Sequence, residues 1–314
     1  MQRSFAFGMV AGARNQQWRL PQPIKGDPLP AVDLPLALKA VLFRRGLQGP
    51  EQVTWLLSDQ PLPDASRHFP ELSTALKRLK TACLNKESVA ICGDYDADGM
   101  TSTALLMRAL EAMGANPLAA IPSRMEDGYG LNRGMVEQLH ADGVRLLVTV
   151  DNGVAAHEAL ERASELDLEV VLTDHHTLPA NRPKALALIH PATTPKGSPY
   201  GCLAGVGLAY VLARALAEEL NHPASISTAR DLFCIGTVAD MAPLTGANRI
   251  LLREGLNHLH RSRCPGVQAL QQLAGLGDRP LRADDIGFQL APRINAVGRI
   301  GEPSLVVDLL TADD

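Results

Sequence analysis

The sequence predicts an α/β fold: a doubly wound, mostly parallel sheet with flanking helices, extended by helical segments at both ends. Two observations predict it. Short apolar runs within SVAICGDYDADG, RLLVTVDNG, LEVVLTDHH and ALALIHP each end in an acid, a glycine or a histidine. Between them, stretches such as TSTALLMRALEAMG, NRGMVEQLHADG and AAHEALERASEL place apolar residues at three- and four-residue spacing. Uninterrupted short runs are what strands buried on both faces look like, and the intervening helical patterns supply the covering layers.

The flanking segments follow from the same patterns. Pro21, Pro23, Pro28, Pro30 and Pro35 forbid a continuous helix over residues 19–36 and predict an extended arm. Helical spacing in LALKAVLFRRGL and LSTALKRLKTACL predicts small helices between Leu36 and Leu57 and between Leu72 and Leu84. LAGVGLAYVLARALAEEL and ARDLFCIGTVADMAPL keep helical spacing and are rich in small residues, which predicts helices packed closely on the sheet. The expected organisation is an N-terminal arm and helical segment (1–85), an α/β metal-binding domain (86–245) and a helical segment (246–314).

With 314 residues, 46% of them hydrophobic, the chain can bury a full core. No uncharged apolar run approaches the roughly twenty residues needed to span a bilayer, so no membrane is expected. Its five cysteines are scattered, with no Cys-x-x-Cys pair, which argues against a disulfide framework or a structural zinc and for reduced thiols in a cytoplasmic protein. A net charge of -4 argues against a diffuse nucleic-acid-binding surface, unless the acids hold cations. Eight arginines between Arg249 and Arg299 could still present phosphate-binding groups, or a solvated face.

In open α/β sheets, ligands bind beyond the carboxyl ends of the strands. There the sequence places Asp94, Asp96 and Asp98, then Asp151, then Asp174, His175 and His176. Three aspartates alternating on one turn repel each other unless a cation sits among them. The glycines at 93 and 99 allow a tight turn, and a helix starting near Thr101 and Ser102 would aim amides at a phosphate. GDYDADG alone also reads as an acidic calcium loop or a capped helix start, and Asp151 alone as a turn residue. Asp240 is either a cap or a further ligand. Oxygen-rich ligands with one or two histidines and no thiolate favour Mn²⁺ or Mg²⁺, and two such ions would suit phosphodiester hydrolysis. Arg124, Tyr129, Arg293 and Arg299 are candidates for holding phosphates.

Seven motifs, GDYDADGMTSTALL, PSRMEDGYGL, VTVDNG, VLTDHH, LAGVGLAY, GTVADMAPL and PRINAVGR, occur in the order of a known family. From about Trp55 onward the chain resembles the DHH phosphoesterases. The resemblance implies Asp96, Asp98, Asp151, His175 and Asp240 as ligands for two ions of Mn²⁺ or Mg²⁺, with Asp94, Asp174 and His176 completing the catalytic site. It implies Arg124 near the substrate phosphates, and Asn295 and Arg299 in a motif close to the cleft. Cys92 stands where the pyrophosphatase and small-oligonucleotide branches begin their first motif with histidine, and this implies the branch of 5′-to-3′ exonucleases acting on single-stranded DNA in repair and recombination. His190 stands where the family commonly has asparagine.

Single-stranded DNA is the partner this implies, with a single-strand-binding protein left open. Two alternatives remain: a short-oligonucleotide or cyclic-dinucleotide phosphodiesterase, and a non-catalytic replication scaffold. The family's second domain and an OB-type single-strand clamp find no match before Asp314, so the chain is expected to be either a piece of a longer protein or a short form of reduced processivity.

Overall fold

The computed structural model describes residues 9–11, 17–59, 61–122 and 128–314. The chain divides into two compact units, Met1–Pro61 and Leu62–Asp314. The first contains an antiparallel pair, β1 (Met9–Ala11) and β2 (Gln17–Arg19), which the sequence reading did not anticipate. Residues 20–35 form no helix, as their prolines require, and α1 (Leu36–Arg44) and α2 (Pro50–Leu57) follow.

The second unit is built on a five-stranded parallel sheet in the order β4-β3-β5-β6-β7. After α3 (Leu72–Asn85) the chain runs β3 (Ser88–Cys92), α4 (Ala97–Ala112), β4 (Asn116–Ala120), α5 (Arg133–Ala141), β5 (Leu146–Thr149), α6 (His157–Glu165), β6 (Glu169–Thr173) and β7 (Ala187–Ile189). The remainder is helical: α7 (Gly205–Glu219), α8 (Ala229–Ala239), α9 (Gly246–Leu259), α10 (Pro265–Leu273), the single turn α11 (Ala283–Asp285), a π-helical turn (Ile286–Leu290), α12 (Ala291–Ile300) and α13 (Ser304–Thr311). Among the described residues no helix is long and apolar enough to cross a membrane.

Strand residues alternate between two cores. Val89, Ile91, Leu146, Val148 and Val171 face one layer with α3, α4, α7 and α8, whereas Ala90, Cys92, Leu147, Val170 and Leu172 face the other with α5 and α6. Both faces are covered, hence the continuous apolar runs. β4 escaped the sequence reading because it is an edge strand, only partly buried, and carries Pro117; an edge tolerates the missing amide.

Within the second unit, the helices before and after the α/β segment share its core. Leu72 and Leu79 of α3, and Leu251, Val267, Ile294 and Val307 of the later helices, share the first core with the sheet. Small residues set the close packing: a Cβ on Gly236 of α8 would lie 2.3 Å from Thr101 Oγ1 of α4.

The connection after β3 leads to β4 on one side, and the chain then crosses to β5 on the other. The carboxyl ends of β3 and β5 therefore flank a topological switch point, where open α/β sheets form their crevices.

Candidate metal centre

At that switch point, Gly93–Asp98 leaves β3 and residues 150–153 leave β5. α4 begins at Ala97, four residues earlier than the sequence suggested, because Asp96 caps it: its carboxylate accepts from the amides of Asp98 (2.8 Å) and Gly99 (3.0 Å). Thr101 and Ser102 consequently lie inside the helix, their hydroxyls bonded to the carbonyls of Ala97 and Asp98, and the expected amide cradle does not form at that point. The first helical amides are spent on Asp96 instead.

Asp98 is buried, and its two oxygens accept from the amides of Gly205 (2.6 Å) and Val206 (2.9 Å) at the start of α7. A helix N-terminus thus steadies this carboxylate from behind. Asp94 is buried beneath α4, and Asp151 is buried after β5 with φ of 61°, a left-handed conformation that aspartate tolerates better than most residues. Tyr129 donates its hydroxyl to the Asp151 carbonyl at 3.1 Å.

The turn after β6 adds the remaining groups. Asp174 is buried and accepts from the Val154 amide (2.9 Å) and, at 2.7 Å, pairs with His176 Nδ1. Neighbouring His175 turns the other way: its Nε2 lies 2.9 Å from Asp151 Oδ1 and 3.9 Å from Asp98 Oδ2, and its Nδ1 lies 3.9 Å from Asp240 Oδ2. Despite the 2.9 Å approach, Asp151 Oδ1 is buried with no hydrogen-bond donor. A ring nitrogen and a carboxylate oxygen close together, but not aligned for a hydrogen bond, fit two ligand atoms facing one cation.

Among the described residues, three groups meet the spatial requirement for holding a metal: Asp151, His175 and His176; Asp98, His175 and Asp240; and Asp94, Asp96 and Asp151. In each, the ligand atoms lie within 4.8 Å of one another, and Asp151 and His175 each belong to two groups. The electrostatics agree. Burial, then the charge of Asp96, raises Asp94 to about 7; burial, then Asp96, raises Asp240 to about 6. Asp98 and Asp151 are pushed well above the carboxylate range by burial and by their acidic neighbours. Such a set ionises together only around positive charge.

His175 is lowered by burial, then by His176, which favours the neutral ring a metal requires. Burial opposes ionisation of Asp174, but hydrogen bonds from the His176 side chain and backbone and from Val154 outweigh it. His176 is correspondingly raised, chiefly by its hydrogen bond to Asp174. Two adjacent histidines are therefore prepared for different tasks.

Comparison with known proteins agrees with this geometry. Residues 88–237 match the DHH family, N-terminal domain. This stretch belongs to the DHH family. Over 307 residues, 93% of the chain, it is 37% identical to the single-stranded-DNA-specific exonuclease RecJ of Dickeya dadantii, covering 53% of that protein. The Thermus thermophilus RecJ is 40% identical over 245 residues, 77% of the chain and 35% of the relative. A crystal structure of the Thermus thermophilus protein in complex with Mn²⁺ superposes with a TM-score of 0.73 at 34% identity, over 89% of this chain and 39% of that one. The chain spans about half the length of the Dickeya relative.

The DHH domain and its neighbouring segments bring together Asp94, Asp96, Asp98, Asp151, Asp174, His175, His176, Asp240 and Tyr129. Tyr129 reaches 3.4 Å from His176 Nε2. Asn295 approaches from α12, but its Oδ1 accepts from the Ala97 amide at 2.8 Å, so it secures the α4 turn. Arg299 is exposed in a groove beyond Asn295, Arg293 is exposed and donates to the Gln289 carbonyl of the preceding π-helical turn, and Arg124 lies outside the described residues.

Two supports of the site have no assigned site role in the sequence, where His190 stands out only by its asparagine position. Buried His190 accepts from the Ala192 amide at Nδ1 (2.9 Å), which leaves Nε2 to donate to the His176 carbonyl (2.7 Å) and hold the histidine turn. Its place in an asparagine position was the available signal, since both side chains can donate and accept. Gly205 is the other: a Cβ there would lie 2.5 Å from Asp151 Cβ.

Proposed function

We propose that the chain is the metal-binding part of a 5′-to-3′ exonuclease that hydrolyses single-stranded DNA, using two ions of Mn²⁺ or Mg²⁺. The observation that carries this reading is the set of three ligand groups linked through Asp151 and His175, with the Asp151 Oδ1 oxygen buried and without a hydrogen-bond donor. The likeness to RecJ proteins, and the manganese bound to one of them, supports the substrate and the metal. Divalent ions at such a site supply positive charge that activates water and steadies the oxygens of a phosphodiester.

The chain's own residues then divide the work. Asp96, Asp98, Asp151, His175 and Asp240 would hold the ions, with Asp94 buried in the same carboxylate cluster. Asp174 orients His176 and favours its protonated form, so that ring can hold a phosphate oxygen or give a proton at Nε2, the nitrogen turned toward Tyr129. Arg124 and Arg299 are the proposed phosphate contacts, and Asn295 holds the turn at the start of α4. The five free cysteines suit a cytoplasmic setting in repair and recombination, where a single-strand-binding protein would present the substrate.

Digestion of end-labelled single-stranded DNA, a matched duplex and a short oligoribonucleotide in Mn²⁺ tests the reading. Stepwise loss from the 5′ end of the single strand alone is the expected result. Cleavage of only the shortest substrate would replace it with an oligonucleotide phosphodiesterase, and no cleavage by a metal-loaded chain would replace it with a scaffold.

A further inference from the structure

Beside the metal centre runs a groove of about 610 Å³ that none of the groups above explains. It adjoins the centre twice. Val238, Ala239 and Met241, on either side of Asp240, form one wall, and Asn295, which holds the Ala97 amide, belongs to the other. Its apolar side chains are unusually open to solvent: Met241 is 88% exposed, Phe288 75% and Ile300 89%. Folding alone does not reward exposing a phenylalanine and two aliphatic side chains together, and such a patch marks a binding surface.

Two further features indicate what it binds. Phe288 stands in the middle of the π-helical turn Ile286–Leu290, an irregularity that costs helical regularity and recurs at functional positions. Exposed cations accompany it: Arg299 lines the groove, and Arg282 and Arg293 adjoin its lining residues Ala283 and Pro292. Asp284 is the acid in the lining, and Arg279 is occupied by Asp285 at 2.7 Å. Exposed aromatic surface among arginines, continuous with a phosphodiester-cleaving centre, combines a stacking platform with backbone attraction, the combination that single-stranded nucleic acids select.

We propose that this groove is a nucleobase subsite: Phe288 stacks against a base of the strand whose phosphate lies at the metal centre, Met241 and Ile300 enclose that base, and the arginines follow the backbone. The inference rests on the reading of the centre as a DNA-cleaving site and assigns the place of a neighbouring nucleotide. Stacking on a π-face tolerates any base, so the subsite adds affinity without sequence preference.

The test is fluorescence anisotropy with the full chain in Mn²⁺, using phosphorothioate oligothymidylate to slow turnover and an abasic strand of equal length. Phe288→Ala is expected to bind oligothymidylate roughly 5- to 100-fold more weakly. It should bind the abasic strand within twofold of the wild type, and Phe288→Trp should retain affinity for oligothymidylate. Because Phe288 is exposed, melting temperatures should be unchanged, which separates loss of binding from loss of fold.

Equal affinity of Phe288→Ala and wild type, or equal affinity of the wild type for the two strands, would overturn the subsite. So would concentration-dependent dimers dispersed by Phe288→Ala, which would make the groove a contact between copies. If the subsite fails while 5′ digestion of single-stranded DNA persists, the reading of the metal centre stands without it; base-dependent binding without digestion would fail that reading alone.

Discussion

Replacing Asp98 with asparagine is expected to slow phosphodiester cleavage at least about 10³-fold. The carboxylate is 1% exposed and belongs to the ligand group with His175 and Asp240. Asparagine removes its negative charge where a cation must be neutralised, and turns an NH₂ toward either the Gly205 or the Val206 amide. One of those amides loses its acceptor, at a cost of about 1–3 kcal/mol to folding. Cleavage rate, Mn²⁺ affinity and thermal midpoint, measured together, distinguish the two effects: rate and metal affinity should collapse while a cooperative transition persists at a lower midpoint. A folded variant cleaving at the wild-type rate would remove Asp98 from the site.

Gly205→Ala is expected to lower activity about 100-fold or more without touching a ligand. The added methyl would sit 2.5 Å from Asp151 Cβ and 2.9 Å from Asp151 Oδ1, closer than carbon atoms pack. Asp151 cannot retreat easily, since it is buried, held in a left-handed backbone conformation and tied through its carbonyl to Tyr129. Either this aspartate or the start of α7 must move, and α7 carries the amides that hold Asp98. Displacement by about 1 Å at a reacting centre costs about 10²-fold in rate. Weakened Mn²⁺ binding should accompany the loss; unchanged kinetics in Gly205→Ala would mean that the crowding is relieved elsewhere and that Asp151 is not held as described.

The centre was legible because its chemistry sits at strand ends. β3, β5 and β6 are buried on both faces, so their apolar runs stand out and the acids that follow them mark the crevice. What the sequence concealed depends on contacts between distant segments. Gly205 looks like a small residue in a helix until Asp151 is beside it. Asn295 reads as a cleft residue, yet its oxygen is taken by an amide 198 positions away. The start of α4 was misplaced because Asp96 serves both as cap and as candidate ligand, and periodicity alone does not register a cap. The β4 edge was lost for the opposite reason to β3: half-exposed and opened by Asn-Pro, it lacks the apolar signature of a buried strand.

Calorimetric titration of the metal-stripped chain with Mn²⁺ tests the central claim most directly, because it reads the carboxylate–histidine cluster before any substrate is chosen. The account predicts two ions bound per chain, with binding lost when Asp151 and His175 are both replaced by alanine in a variant that still folds. No binding by the wild type, or the same binding after both ligands are removed, would contradict it.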